Sequence, residues 1–234
     1  MQVMTFFTAK GGTGKTTFNM LLASYLKYQL GKRVALLDFD NPEYNLTFCR
    51  RRELEFLRSR DGEVDERQFY PILTVQDITP ANLEKTARQV LGLAADFDYL
   101  VMDFKGSLQA GDPVSVMAEY GILNKVAIPV ELDPMIIASM KSLALTFRDN
   151  GQQALLFFNR VHGKERPEQY EAVRKWFTEK GCTVARSQVK SFIGMKREQG
   201  EGCFVRSTLS FEEKTIRKVN PGIVELFNEL LDYG

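Results

Sequence analysis

Residues 8–17 read Thr-Ala-Lys-Gly-Gly-Thr-Gly-Lys-Thr-Thr, and no other stretch of the chain concentrates as much potential chemistry. Glycine leaves no Cβ between backbone and ligand, so the N–H groups of such a turn can converge on phosphate oxygens. A helix opening at the end of the turn adds its positive dipole end. In that arrangement Lys15 reaches the β- and γ-phosphates and the Thr16 hydroxyl ligates Mg²⁺. Gly11, Gly12, Thr13, Gly14 and Thr17 are the further candidates for wrapping such phosphates. The pattern G-x-x-x-x-G-K-[ST] is broken at its first place, where Ala9 stands, and a second lysine, Lys10, comes directly after it. A dinucleotide fingerprint would need Gly or Ala where Thr17 stands, so a nucleoside triphosphate is the better match.

Acidic residues supply the complementary chemistry. The run Leu36-Leu37-Asp38-Phe39-Asp40 reads as the end of a strand, and alternation puts both carboxylates on one side. Acids beside a phosphate loop suit Mg²⁺, which keeps several waters and takes one or two carboxylates. The same pair also reads as a cap on the strand's exit. Tyr99-Leu100-Val101-Met102-Asp103 is an apolar strand ending in an acid that would hold the metal through water. Lys105, just beyond it, reads as a solvated surface lysine. Asn159 ends another apolar run; its amide offers an acceptor and donors, and it reads equally well as a turn former. His162, the single histidine, has no Ser or Cys with an acid at nucleophile spacing. Cys49, Cys182 and Cys203 lie far apart without a CxxC pair, so no disulfide framework, zinc set or iron–sulfur set is specified.

Positioning these groups requires strands that deliver them to one edge. Short β-branched or aromatic runs alternate with longer stretches of helical spacing, the pattern of a parallel sheet flanked by helices. Strands are expected at 3–8, 33–38, 72–76, 99–103, 126–129, 154–159 and 184–189, and helices at 15–30, 45–60, 80–95, 112–120, 134–150, 167–180 and 222–231. The expected fold is a three-layer α/β/α arrangement on a twisted, mostly parallel sheet of about seven strands, with residues 1–234 as one domain. Residues 58–67 read as a mixed-charge link and 190–206 as a basic loop.

The string K-G-G-x-G-K-T-T with its extra lysine resembles the deviant Walker A motif of the ParA/MinD group of P-loop ATPases. The resemblance implies ATP and Mg²⁺ as cofactors, slow hydrolysis stimulated by a partner protein, and a homodimer formed on ATP, with Lys10 crossing to the partner's phosphates. It further implies that Asp40 orients or activates the attacking water, that Asp38 supports the metal's water shell, that Gly106 offers its N–H to the γ-phosphate, and that Asn159 reads the adenine edge. The chain departs from the family at Asn41-Pro42-Glu43-Tyr44-Asn45, which inserts a residue and lacks a glutamine, and at Phe104-Lys105-Gly106-Ser107. Scattered strings, Arg50-Arg51-Arg52-Glu53 and Arg206-Ser207-Thr208-Leu209 among them, resemble ParA-like ATPases of plasmids and conjugative elements. Such a relative would act in plasmid or chromosome partition. Alternatives are a nucleotide-dependent adaptor of conjugative transfer with little hydrolysis, or a MinD-like positioning protein.

Charge decides between partners. The totals, 31 Lys+Arg against 30 Asp+Glu, exclude wholesale polyanion binding. Residues 180–218, however, carry nine basic against four acidic residues. Lys190, Lys196, Arg197, Arg206, Lys214, Arg217 and Lys218 are therefore candidates for nonspecific DNA contact, with a solvated basic surface as the equal alternative. The last residues, 222–234, carry only acidic charges, which anionic lipid would repel; their apolar spacing suits a helix docked on its own core. With no apolar run approaching ~20 residues, no membrane contact and a cytoplasmic, nucleoid-associated location are expected.

Overall fold

The computed structural model describes residues 1–40, 42–75, 83–106, 112–163, 165–191 and 207–233. Seven strands, β1 (Gln2–Phe6), β2 (Val34–Phe39), β3 (Ile72–Thr74), β4 (Tyr99–Phe104), β5 (Lys125–Val130), β6 (Gln153–Val161) and β7 (Thr183–Lys190), form one sheet. Its order is β3-β2-β4-β1-β5-β6-β7, and every pairing is parallel, a stricter outcome than the mostly parallel sheet expected from the sequence. β2 and β5 are buried at every residue, as strands covered on both faces must be.

Helices cover both faces. α1 (Lys15–Ser24), α7 (Glu213–Val219) and α8 (Pro221–Asp232) bury Phe18, Leu22, Ile216, Leu226 and Phe227 against one face, where Leu46 of α2 (Asn45–Asp61) joins them. α3 (Leu83–Gly92), α4 (Pro113–Glu119), α5 (Pro134–Asp149) and α6 (Pro167–Glu179) bury Val90, Met117, Met140, Phe147 and Phe177 against the other. α1 continues as a wider π turn, Tyr25–Gln29, before Gly31 closes it at φ 63°. Gly181 likewise ends α6 at φ 74°, the left-handed conformation that glycine enters cheaply.

All seven expected strands are present, with ends shifted by at most two residues. The expected helix 80–95 is described from Leu83, and the strand 72–76 through Thr74; residues 76–82 lie outside the described residues. Within the link expected at 58–67, α2 runs on to Asp61 and a single 3-10 turn spans Glu66–Gln68. α7 has no counterpart among the expected helices: with two glutamates and three basic residues in Glu213–Lys218 and its neighbour Glu212, its apolar stripe shrinks to Ile216, too little for a periodicity to register. α8 begins at Pro221 and presses close to the sheet, because a Cβ on Gly222 would lie 2.0 Å from the Gln188 carbonyl oxygen. Among the described residues no helix is long and apolar enough to cross a membrane.

Candidate functional site: a phosphate loop facing three aspartates

β1, β2 and β4 lie close together in the sheet, and the segments at their C-terminal ends form the site. After β1 the chain turns through residues 7–14 into α1. Gly12 and Gly14 take φ 75° and 93°, which side chains rarely adopt, and the ring of Phe18 lies 3.4 Å from where a Gly14 Cβ would stand. The turn is tied internally: the Thr8 hydroxyl accepts from Lys10 N and donates to Lys10 O, both at 2.9 Å, and stands 3.3 Å from the Thr13 hydroxyl. Below it Phe6, Phe18 and Phe157 pack ring on ring at 5.0–5.7 Å, fixing the start of α1 to the sheet.

Lys15, 8% exposed, donates from Nζ to Lys10 O at 3.1 Å. Burial lowers its pKa, against the raising influence of Asp103 and Asp40. A Cβ on Gly106 would meet Lys15 Nζ at 2.7 Å, so the glycine keeps open the space the lysine crosses. Lys10, Gly11 and Gly12 form the exposed rim of the loop.

Asp38 and Asp103 are register partners on β2 and β4 and are both fully buried. Burial pushes Asp103 up to about 7; the Asn19 and Thr16 side chains draw it back, while Asp38 and Asp40 add like-charge repulsion. Asn19 on α1 donates to Asp103 Oδ1 at 2.7 Å and accepts from Phe6 N at 2.7 Å, whereas Asp103 Oδ2 is buried with no hydrogen-bond partner. Asp38 is engaged on both oxygens: Oδ1 accepts from Asp40 N, and Oδ2 from Thr47 N and Oγ1 in the first turn of α2. Burial raises its pKa despite those donors. Asp38 thus ties the end of β2 to the first turn of α2. Asp40, 9% exposed, accepts from Asn45 Nδ2 at 3.0 Å.

The donor set suits a small hard cation beside phosphate. One buried carboxylate oxygen lacks a partner, and the Thr16 side chain acts on the same carboxyl. Among the described residues no group of three or more His, Cys, Asp or Glu gathers as a closed metal cage. Mg²⁺ does not require one, since it keeps waters and takes ligands from phosphate.

Asn159, near the end of β6, is 6% exposed and donates from Nδ2 to Thr13 O at 3.0 Å, so an adenine contact would fall to its Oδ1. Lys10, Gly11, Gly12, Thr13, Gly14, Lys15, Thr16, Asp38, Asp40, Asp103, Gly106 and Asn159 therefore gather around one edge of the sheet, at the C-terminal ends of its strands. Asn41 and Ser107 lie outside the described residues. Sequence patterns do not announce Asn19, Thr47, Glu131 or Arg160. Asn19 alone leaves a signal, a carboxamide among Phe18, Met20, Leu21 and Leu22 that burial obliges to find partners.

Of the DNA candidates, Lys190, Lys214 and Lys218 carry side chains toward the surface, and Arg217 pairs with Glu213 at 2.6 Å and Glu225 at 3.4 Å. Lys196, Arg197 and Arg206 lie outside the described residues, as does Cys203.

The fold is similar to that of the MinC:MinD cell division protein complex of Aquifex aeolicus, with a TM-score of 0.68 at 18% identity over 100% of this chain and 97% of that one. It is similar to pNOB8 ParA bound to nonspecific DNA (TM-score 0.61, 15% identity, 99% and 98% covered). A third similar structure is a putative plasmid partition protein from Borrelia burgdorferi B31 bound to AMPPNP (TM-score 0.59, 18% identity, 97% and 98% covered). No curated protein matches the sequence. At these identities the structures speak for the fold, while the family assignment comes from residues 4–182, which match CbiA, the CobQ/CobB/MinD/ParA nucleotide binding domain. With that match spanning the phosphate loop and all three aspartates, the chain belongs to the CobQ/CobB/MinD/ParA family of nucleotide-binding domains.

Proposed function

We propose that this protein is a ParA-like ATPase, a switch that binds ATP with Mg²⁺, dimerises in the ATP state, engages DNA without sequence preference and resets by hydrolysis. One observation carries the reading: a half-tied phosphate loop, with its lysine drawn to a backbone carbonyl, faces a buried carboxylate that has an unpartnered oxygen. That combination is costly on its own and is relieved by a ligand that brings negative charge to Lys15 and positive charge to Asp103.

In this reading Lys15 and the loop amides of residues 11–17 bind the β- and γ-phosphates. Thr16 and Asp103 would hold Mg²⁺, with Asp38 acting only through water because its own oxygens are engaged. The metal would supply charge neutralisation of the triphosphate. Asp40 orients the attacking water, Gly106 offers its N–H to the γ-phosphate and Lys10 reaches the neighbouring protomer. The AMPPNP and DNA complexes of similarly folded proteins support the nucleotide and DNA parts of this reading.

Calorimetry of the full chain with ATP in magnesium buffer tests it. Saturable uptake is expected, weakened at least about tenfold by Lys15→Ala. Absence of uptake by folded wild type overturns the reading. Phosphate release with DNA present should exceed that of Asp40→Ala; equal rates would leave a nucleotide-dependent adaptor instead of an ATPase.

A further inference from the structure

Two consecutive side chains near the end of β6 grip two consecutive carbonyls of the phosphate loop. Asn159 donates to Thr13 O at 3.0 Å, and the Arg160 guanidinium donates to Gly12 O. In a regular strand neighbouring side chains project to opposite faces, so residues 159 and 160 could not both reach one loop. The chain departs from regularity at this point: Arg160 takes φ 54°, and the pairing of β6 with β7 shifts register between Asn159 and Val161. A left-handed arginine is a strained choice, and strain of this kind persists where the surroundings impose it and a site makes use of it. The second arm of the guanidinium pairs with Glu131, the first residue after β5, at 3.1 Å, and that carboxylate side chain is only 18% exposed.

We infer that Arg160 is a positioning residue for the phosphate loop, oriented by Glu131 and working in tandem with Asn159. Within each planar trans peptide the carbonyl and the following N–H point in opposite directions. Holding Gly12 O and Thr13 O toward β6 therefore aims the amides of Thr13 and Gly14 away from it. The two side chains pre-align N–H donors that would otherwise have to be ordered when phosphate arrives, and ordering at that moment weakens binding. The inference rests on reading residues 8–17 as a phosphate loop, but its structural part can be tested without nucleotide.

Arg160→Gly places a residue at ease with positive φ there and removes the whole side chain, guanidinium included. In nucleotide-free protein, hydrogen exchange across residues 11–15 should speed up while the melting temperature holds. With magnesium present, affinity should drop about tenfold, equally for ATP and for tripolyphosphate. Glu131→Gln, which leaves the backbone untouched, should move both readouts in the same direction by less, and it decides the matter should Arg160→Gly fail to fold. Unchanged exchange and affinity overturn the inference, as does a loss seen with ATP but not with tripolyphosphate, which would make Arg160 a base contact. A wild type that binds neither probe defeats the nucleotide reading, and the exchange measurement then judges the clamp alone.

Discussion

Asp103 is the residue where the cost of the site concentrates. Its Cα partner on the next strand is another buried aspartate, one of its oxygens has no partner, and Asn19 is buried beside it to hold the other. Asp103→Asn keeps the size and an acceptor for Asn19 while removing a charge from that pair. The nucleotide-free variant should melt a few degrees higher at pH 8, an effect on the order of 1 kcal/mol. It should also lose the magnesium-dependent part of ATP affinity, measured as the ratio of dissociation constants with and without EDTA. A variant that melts lower, or keeps the magnesium effect, would show that Asp103 is structural. Most of this site can be read from the sequence, because glycine and lysine spacing is local and strand-end acids follow from alternation. The residues that hold it are invisible there: Thr47 reaches Asp38 from nine positions away and Arg160 reaches Gly12 from 148 away, distances no local pattern encodes.

Elements, too, are joined by contacts that neither pattern nor motif announces. The strings Arg50-Arg51-Arg52-Glu53 and Arg206-Ser207-Thr208-Leu209 look unrelated in sequence, yet α2 grips Thr208 from the first with two side chains. Arg50 donates to Thr208 Oγ1 at 2.7 Å and Thr208 O at 2.9 Å, and stacks 4.8 Å over Tyr70. Glu53, buried, accepts from Thr208 N at 2.9 Å and from its hydroxyl. Because Asp38 caps the first turn of the same helix, α2 spans from the aspartate pair to the segment that precedes α7. Arg50→Ala should therefore cost about 2–3 kcal/mol in urea unfolding, more than a surface arginine, since it strips hydrogen bonds from a buried carboxylate's neighbours. A loss under about 0.5 kcal/mol would mean the grip is incidental. At α8, Gly222→Ala must push the helix off Gln188 O and should cost a further ~2 kcal/mol by the same measurement. The strands and long helices are legible because each repeats its own period over many residues. α7 is not, having one buried apolar residue in seven, and it packs chiefly against α8.

For the whole molecule, the parallel sheet places every strand's C-terminal end on one edge, so the phosphate loop, the aspartates, Asn159 and Arg160 all open in one direction. The rim of that edge is Lys10-Gly11-Gly12, exposed, with Lys10 held at the backbone by Thr8 and Lys15 while the residue itself faces solvent. A lysine fixed at its root and reaching outward suits a phosphate outside its own loop better than one within it. In the proposed switch, Lys10→Ala should leave ATP affinity within about twofold and abolish ATP-dependent dimerisation in sedimentation; an intact dimer would remove Lys10 from that role. DNA binding should then fail in the same variant if two basic faces must be joined, since each phosphate neutralised contributes a salt-dependent increment. On α7 the contribution should be unequal: Arg217 is committed to Glu213 and Glu225, so charge reversal at Lys214 and Lys218 should weaken binding to unrelated duplexes alike and flatten the salt dependence, while Arg217→Gln changes it little. The reverse ranking, or a loss confined to one DNA sequence, would place the DNA surface elsewhere on the molecule.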